Sequence, residues 1–438
     1  VTKETFCKIV SLHENLNKKF NVEKYIKFSK KICKDINIPI GMCHGDFTYS
    51  NILLKSHDLY LFDFLDSFVE SPLLDIVKIR QDTQFQWIFK MRAFFSHNHH
   101  FHSPHSFISK GRVIESPEKP QRANILEKAA RSAGHDLIHA KEYGDKPIKA
   151  IHQEEYVNFL KTAWLTWKDL PDSGDEIIPN VHPGRNMNAS PNSIISLSGY
   201  YQADTACPIG KGTYEGIVAS SDVAVSGAYA IMNDIKNGSS KNFAYSLCRP
   251  PGHHAFADQA GGFCFLNNAA IAAQFCLDNG AKRVAILDVD VHHGNGTQGI
   301  FYHRSDVFTI SLHGDPLFYY PFFAGHADEV GSDEGTEYNL NYPLLRGTND
   351  EDYLRTLNKA VDKVTTYQPD VLIVALGLDA SIYDPLAFLS ITTDGFFEIG
   401  KAIGDAGIPT LLIQEGGYIS PVLGDNLAAV LGGFEEIR

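Results

Sequence analysis

The chain has 438 residues, 44% of them hydrophobic and 21% charged, with a net charge of -13. That is the composition of a soluble globular protein long enough for two domains, with no apolar run that could span a bilayer. The acidic balance argues against nonspecific nucleic-acid binding and suits a cationic substrate. Seven scattered Cys with no CxxC pair fit reduced thiols in a cytoplasmic protein. No signal-peptide pattern opens the chain, which starts on Val rather than Met and so reads as a fragment or a trimmed sequence.

Charge divides the chain near residue 90. Residues 1–90 hold 13 Lys+Arg against 11 Asp+Glu, and the remainder 26 against 41. The first part reads as helix over about 3–20 and 23–36, then a turn, "GMCHGDFTYSNILL" and a strand "LYLFDF". From residue 91 onward strands and helices alternate. The strand candidates are "MRAFF", "FAYSL", "RVAILDV", "VFTISL", "DVLIVAL" and "TLLIQ", mostly continuous apolar runs, as expected of strands covered on both faces. Helical patterns fall between them, for example over 219–235, 266–279, 351–366, 394–406 and 421–432. Alternation of this kind predicts an α/β fold with a parallel sheet, and in such sheets ligands bind beyond the carboxyl ends of the strands.

Five of those strands end in polar residues and glycines: "CRPPGHHAFADQAGGFCF", "DVHHGNGTQ", "HGDP", "GLDASIYDP" and "EGGY". A single Asp at a strand end is more often a turn or cap residue than a ligand, and paired histidines are usually surface or packing residues. Five such ends on one edge predict an active site. Asp290 and His292 are two apart and face one side of an extended chain; Asp379, at the end of another strand, can meet them. One imidazole and two carboxylates leave a divalent metal an open position, with zinc the default and Fe(II), Co(II) or Mn(II) alternatives. His253 and His254 can serve as general base and acid, with Asp288 and Asn295 as acceptors that fix their tautomers. Tyr418 offers a phenol to a developing oxyanion, and the adjacent Gly416 and Gly417 let it approach.

With these motifs in this order, residues 91–438 resemble the histone deacetylase superfamily, and most closely its bacterial acetylpolyamine amidohydrolase branch. The resemblance implies the arginase/deacetylase fold, an open parallel sheet flanked by helices. It implies one zinc ion held by Asp290, His292 and Asp379, His253 and His254 as the acid/base pair, and Tyr418 as donor to the acetyl carbonyl. It implies structural potassium held by Asp288, Ser311 and the carbonyls of Asp290, His292 and Leu312, with a second ion on the carbonyls of Phe301, Arg304, Val307 and Tyr338. Phe263 and Tyr320 would wall the substrate channel, and Gly262 and Gly377 would leave room for the substrate. The implied reaction removes acetyl groups from acetylated amines, acetylpolyamine or acetyl-lysine, by metal-activated water. Branch members are often dimers, which implies a homodimer. Where that branch carries acidic residues near "GYY", this chain has Ile195 and Ala206, with Asp204 nearby, so polyamine preference does not carry over directly.

Two further segments stand out. "SHNHHFHSPH", with five histidines, reads as a rim loop over the active site or a metal site. In the first part, "HGDFTYSNILL" and "LFDFLD" resemble the catalytic loop of aminoglycoside phosphotransferase-like kinases, which implies Asp46 as base, Asn51 as magnesium ligand and Asp63 as metal-binding carboxylate. Only 43 residues precede His44, with no glycine-rich phosphate loop among them, so residues 1–90 read as a truncated lobe, inactive, accessory, or joined by a fusion or frame artefact ahead of Met91. Three readings compete with the deacetylase: a small-molecule phosphotransferase in the first segment, a non-catalytic binding protein on the deacetylase fold, and an arginase-type binuclear hydrolase.

Overall fold

The computed structural model describes residues 91–438, except residue 240, together with the backbone of two short strands in the first part. The chain divides into two compact units, Val1–Phe89 and Lys90–Arg438. In the first, β1 (Ile52–Lys55) and β2 (Asp58–Leu61) pair antiparallel. Asp46, Asn51 and Asp63, and the helices expected over 3–20 and 23–36, lie outside the described residues.

The second unit is built on one sheet. Its strands are β3 (Arg92–Phe95), β6 (Asp136–His139), β7 (Phe243–Ser246), β8 (Val284–Asp288), β9 (Val307–Gly314), β10 (Asn339–Leu344), β11 (Val371–Leu376) and β12 (Thr410–Gln414). They run in the order β10-β9-β8-β11-β12-β7-β3-β6, every pair parallel. A small antiparallel hairpin, β4 (Ser106–Ser109) with β5 (Arg112–Glu115), stands apart from it.

The apolar strands are buried on both faces because alternate residues enter two different cores. Ala285, Leu287, Leu372, Val374 and Leu376 join a core with the helices Gln121–Ser132, Asp350–Tyr367, Thr393–Asp405 and Leu423–Ile437. Val284, Ile286, Val371 and Ile373 join the opposite core with the helices Thr213–Lys236 and Asn268–Asp278. The small faces "NNAAIAA" and "SGAYA" let those last two helices approach the sheet and each other closely.

Strand order explains where the chemistry falls. From β7 the chain passes to β8, runs outward through β9 and β10, then returns to insert β11 and β12 between β8 and β7. The carboxyl ends of the four neighbours β8, β11, β12 and β7 therefore open into loops that diverge and leave a crevice. Among the described residues no helix is long and apolar enough to cross a membrane.

Six expected strands are present at β3, β7, β8, β9, β11 and β12, and the five expected helices are present, the first starting six residues earlier, at Thr213, and the last ending five later, at Ile437. The edge strands β6 and β10 had no sequence signal of comparable strength. "DLIH" is too short and too polar, and "NLNYPL" carries a Pro, tolerated because β10 is an edge strand.

Candidate active site

Four strand ends supply the site. The short run after β8 carries Asp290 and His292, that after β11 carries Asp379, that after β7 carries His253 and His254, and that after β12 carries Glu415 and Tyr418. Each is tied to its neighbour through backbone N–H groups. Val289 N donates to Ala375 O (3.0 Å) and Leu378 N to Gly416 O (3.1 Å). Val291 N donates to Asp379 Oδ1 (3.0 Å) and Gly416 N to Asp290 Oδ2 (2.8 Å). The two carboxylates are thus aimed by the loops of the strands beside them.

The structure brings Asp290, His292 and Asp379 together, with one ligand atom from each within 4.8 Å of the others. His292 Nδ1 lies 3.1 Å from Asp290 Oδ1 and 3.2 Å from Asp379 Oδ2. Asp379 Oδ2 is buried yet has no hydrogen-bond partner of good alignment. Donors about 2.0–2.1 Å from a tetrahedral metal sit about 3.3 Å apart, so this nitrogen and two oxygens fit a small divalent cation. Burial alone would lower the His292 pKa, but the adjacent Asp290 and Asp379 carboxylates raise it to about 9. Without metal, a proton on His292 neutralises the carboxylates in the cation's place. Tyr319 stacks on the imidazole, ring centroids 4.8 Å apart, and fixes its plane.

Gly377, expected from the sequence to leave room for the substrate, leaves room for a carboxylate of the ligand cluster in the structure. A Cβ there would collide with the Asp290 carboxylate, and one on Gly416 would collide with Asp379. Both glycines make room for the ligand cluster, because the carboxylates pass against their Cα atoms.

The two histidines after β7 differ in their surroundings. His253 Nδ1 faces Asp288 Oδ2 at 2.9 Å, whereas His254 Nδ1 faces Asn295 Oδ1 at 2.6 Å. Burial lowers the pKa of His253, but Asp288 and Asp290 overcome it and raise the value to about 10. Burial holds His254 well below the ordinary range, and the positive charges of His253 and His292 push it further. The pair therefore divides into one imidazolium and one neutral imidazole, the separation that acid/base chemistry requires.

Tyr418 is buried, with its backbone N donating to Asp384 Oδ2 at 2.7 Å. Its ring lies 5.7 Å from Phe263 on one side, and the Arg122 guanidinium sits 4.8 Å from its centroid on another. Tyr320 stands edge-on to His254, centroids 4.9 Å apart. Ala206 is buried beside Phe263 and Tyr418, while Ile195 is exposed on the helix Ile194–Tyr201.

For the expected potassium residues, Asp288 and Ser311 are register partners on β8 and β9. Ser311 Oγ pairs with His313 Nδ1 at 2.8 Å, and Asp288 Oδ1 accepts Asp290 N at 3.1 Å. In the second group the carbonyls of Phe301 and Tyr338 already accept from Arg304 N (2.9 Å) and Thr309 N (3.0 Å). The Tyr338 carbonyl also accepts from Thr309 Oγ1 at 3.5 Å.

The histidine-rich stretch is neither a simple rim loop nor a metal cluster. His99 and His102 are buried, and the carbonyls of both accept from Arg249 Nη1, at 2.7 and 2.9 Å. None of the five belongs to a metal-capable group among the described residues. A second such group, His253, Cys264 and Glu415, is already committed. Glu415 Oε2 accepts Gly252 N (2.6 Å) and His253 N (3.1 Å), and burial keeps the Cys264 thiol protonated.

Sequence reasoning missed the buried charges beneath the site. Glu118 accepts from Arg122 Nη1 and Arg249 Nη2, both at 2.8 Å, and Arg122 Nη2 donates to Glu415 O at 2.6 Å. The signals were there: an i,i+4 Glu–Arg pair in "EKPQR", and an Arg directly ahead of "PPGHH".

Metal-capable side chains, a split pair of imidazoles and a buried phenol at the centre of this sheet define the class, a hydrolase of the arginase/deacetylase fold. The chain belongs to the histone deacetylase family, whose domain model (Histone deacetylase domain) matches residues 116–434. Acetylpolyamine amidohydrolase 2 of Pseudomonas aeruginosa is 43% identical over 350 residues, covering 80% of this chain and 100% of that protein. Acetylpolyamine amidohydrolase of Mycoplana ramosa is 39% identical over 78% of this chain and 99% of its own length. The crystal structure of an acetylpolyamine aminohydrolase from Burkholderia pseudomallei superimposes with a TM-score of 0.76 at 39% identity, over 80% of this chain and 100% of that one. As a member of this family, the chain is a deacetylase that hydrolyses amides.

Proposed function

We propose that residues 91–438 remove acetyl groups from acetylated amines, of acetylpolyamine or acetyl-lysine type, and that the site works with one divalent cation, zinc by its donor set, on Asp290, His292 and Asp379. The observation that carries this is the juxtaposition of those three donors with His254 against Asn295, His253 against Asp288 and the buried Tyr418. The bound cation supplies a Lewis acid for the acyl oxygen and for water.

The chain's own groups do the rest. Asn295 accepts the Nδ1–H of His254, so Nε2 carries the lone pair and takes the proton of the attacking water. The Tyr418 hydroxyl donates to the oxyanion of the tetrahedral adduct, in a site whose burial excludes competing water. His254, now protonated, gives the proton to the departing nitrogen, and the products are acetate and a free amine. His253, held charged by Asp288, keeps positive potential beside the developing negative charge. Phe263 and Tyr320 line the path of the extended stem. Asp288 and Ser311, with the carbonyls of Asp290, His292 and Leu312, are the proposed potassium ligands. The carbonyls of Phe301, Arg304, Val307 and Tyr338 are proposed for a second ion.

A panel of monoacetylated diamines, acetylated polyamines and acetyl-lysine peptides, assayed with and without chelator, tests the reading. Chelator-sensitive acetate release from at least one class is expected. Absence of release from all of them with metal-replete protein would reject it.

A further inference from the structure

One carboxylate at the mouth of the site has no part in the chemistry above. Asp204 lies three residues beyond the helix Ile194–Tyr201 and is half-buried. Its Oδ2 accepts from the Tyr320 hydroxyl at 2.6 Å and from Gly262 N at 3.1 Å, and its Oδ1 accepts from Ala206 N at 2.8 Å. One side chain thus joins three segments: its own, the loop after β9, and the loop after the paired histidines.

Each of these loops presents an aromatic ring next to the reacting groups. Tyr320 stands perpendicular to His254 at 4.9 Å, and Phe263 packs against Tyr418 at 5.7 Å. The segment bearing Phe263 is conformationally unfavourable. Gly262 has φ +52 and Phe263 φ +70, two consecutive left-handed residues, the second a bulky non-glycine that resists that region. A Cβ on Gly262 would strike the His254 ring and come within 2.9 Å of the Tyr320 hydroxyl oxygen. The Gly262 backbone is therefore wedged between base and wall. The turn itself is closed by paired backbone bonds between Gly261 and Cys264 (3.0 and 2.8 Å), and Asp204 adds the side-chain link that joins Gly262 to the Tyr320 loop.

We propose that Asp204 is a positioning residue. It clamps the Tyr320 loop to the Gly262–Phe263 loop, sets the spacing of the two aromatic walls beside His254, and thereby governs how tightly the extended acylated stem is held. It acts through Tyr320 and Gly262 and not as a counter-ion for substrate charge, because three donors already take most of the four lone-pair positions of its carboxylate. The inference rests on the deacetylase reading of the site. It also reaches a point the sequence left open: the one carboxylate near "GYY" is spent on the wall, so discrimination between a cationic and a neutral acylated amine does not come from it.

The test uses the metal-replete full chain and its D204A, D204N, Y320F and D204A/Y320F variants. The probes are a monoacetylated diamine with a free ammonium and an uncharged N-alkylacetamide of equal stem length. The clamp predicts that D204A raises KM about tenfold for both probes and lowers kcat less. Y320F should give part of that loss, and the double variant should be no worse than D204A, because both single changes break one linkage. D204N keeps an oxygen for Tyr320 and Gly262 but turns its NH2 toward the Ala206 N–H, so it should fall between the parent and D204A, and equally on both probes. A D204N loss confined to the ammonium probe would assign Asp204 as a counter-ion and overturn the clamp, as would unchanged KM in D204A. Hydrogen exchange gives a readout independent of turnover: amides of residues 259–265 and 317–322 should exchange faster in D204A, the rest of the sheet unchanged. If the parent protein cleaves neither probe, small monoacetylated amines fall out of the substrate range, while exchange still decides the clamp.

Discussion

His254 Nδ1 rests against the side-chain oxygen of Asn295 at 2.6 Å, whereas its neighbour His253 rests against the Asp288 carboxylate at 2.9 Å. An amide oxygen orients an imidazole without adding charge; a carboxylate does both. Burial and the charges on His253 and His292 hold His254 neutral and able to accept a proton, and the Asn295 oxygen adds no charge to offset them. In Asn295→Asp the new carboxylate will stabilise the imidazolium and raise the His254 pKa. The base must be unprotonated, so the acid limb of the kcat/KM profile should move to higher pH, by about one to two units. A limb that stays in place would reject His254 as the titrating base.

The Tyr418 ring is held independently of its hydroxyl, by Phe263, by the Arg122 guanidinium and by the Asp384 bond to its backbone. Tyr418→Phe should therefore leave the loop and the bound metal intact. The expected loss is in kcat, about 10²–10³-fold, the effect of removing one oxyanion donor. Steady-state kinetics with elemental analysis of the same sample checks it. A parent-like kcat would remove the phenol from the mechanism.

Asp379 uses Oδ1 to hold Val291 N at 3.0 Å and leaves Oδ2 without a hydrogen bond. Asp379→Asn preserves the first contact and removes the charge of the second. The variant should fold with a melting temperature close to the parent's but fail to retain a divalent cation through gel filtration. Chelation of the parent should abolish turnover, and added divalent metal should restore it. Retention of stoichiometric metal by the variant would exclude Asp379 as a ligand.

Much of this site could be read along the sequence because strand ends are local. "DVDVHH" places Asp290 and His292 on one side of one segment, and "EGGY" sets Tyr418 two residues from Gly416, which packs against the Asp379 carboxylate. The buried runs of β8, β11 and β12 announce a parallel sheet for the same reason, since double-sided burial leaves an uninterrupted apolar string. What could not be read is set by long-range packing. Asp204 and Tyr320 are 116 residues apart, and Glu118 and Arg249 are 131 apart. Nothing in "QADTA" distinguishes a buried polar linkage from a solvated turn, and the Glu–Arg spacing in "EKPQR" does not show that the pair is buried or that Arg249 joins it. The neighbour of Gly377 was hidden for a related reason: a sequence shows that a Cβ is missing, but not that the Asp290 carboxylate fills the space.

Glu118 is the residue on which the floor of the site depends. It is fully buried between Arg122 and Arg249, which in turn hold the carbonyls of Glu415, Gly417, His99 and His102. Burial alone would raise its pKa, but the two guanidiniums hold the carboxyl below its ordinary value of 4.5. A depressed carboxylate contributes stability in full above the unfolded-state value. That contribution is lost as pH falls from about 4.5 toward the lower folded value. Glu118→Gln should flatten the acid limb of the stability profile in that window. At neutral pH it should cost about 3–5 kcal/mol, because two buried guanidiniums lose their counter-charge. Urea midpoints measured from pH 7 down to pH 3 read both effects, and parallel curves for parent and variant would refute the assignment. Arg122 also lies over the Tyr418 ring and grips the Gly417 carbonyl, so a loosened Glu118 should lower kcat as well. The fall should be smaller than in Tyr418→Phe, since the hydroxyl remains and only its placement relaxes.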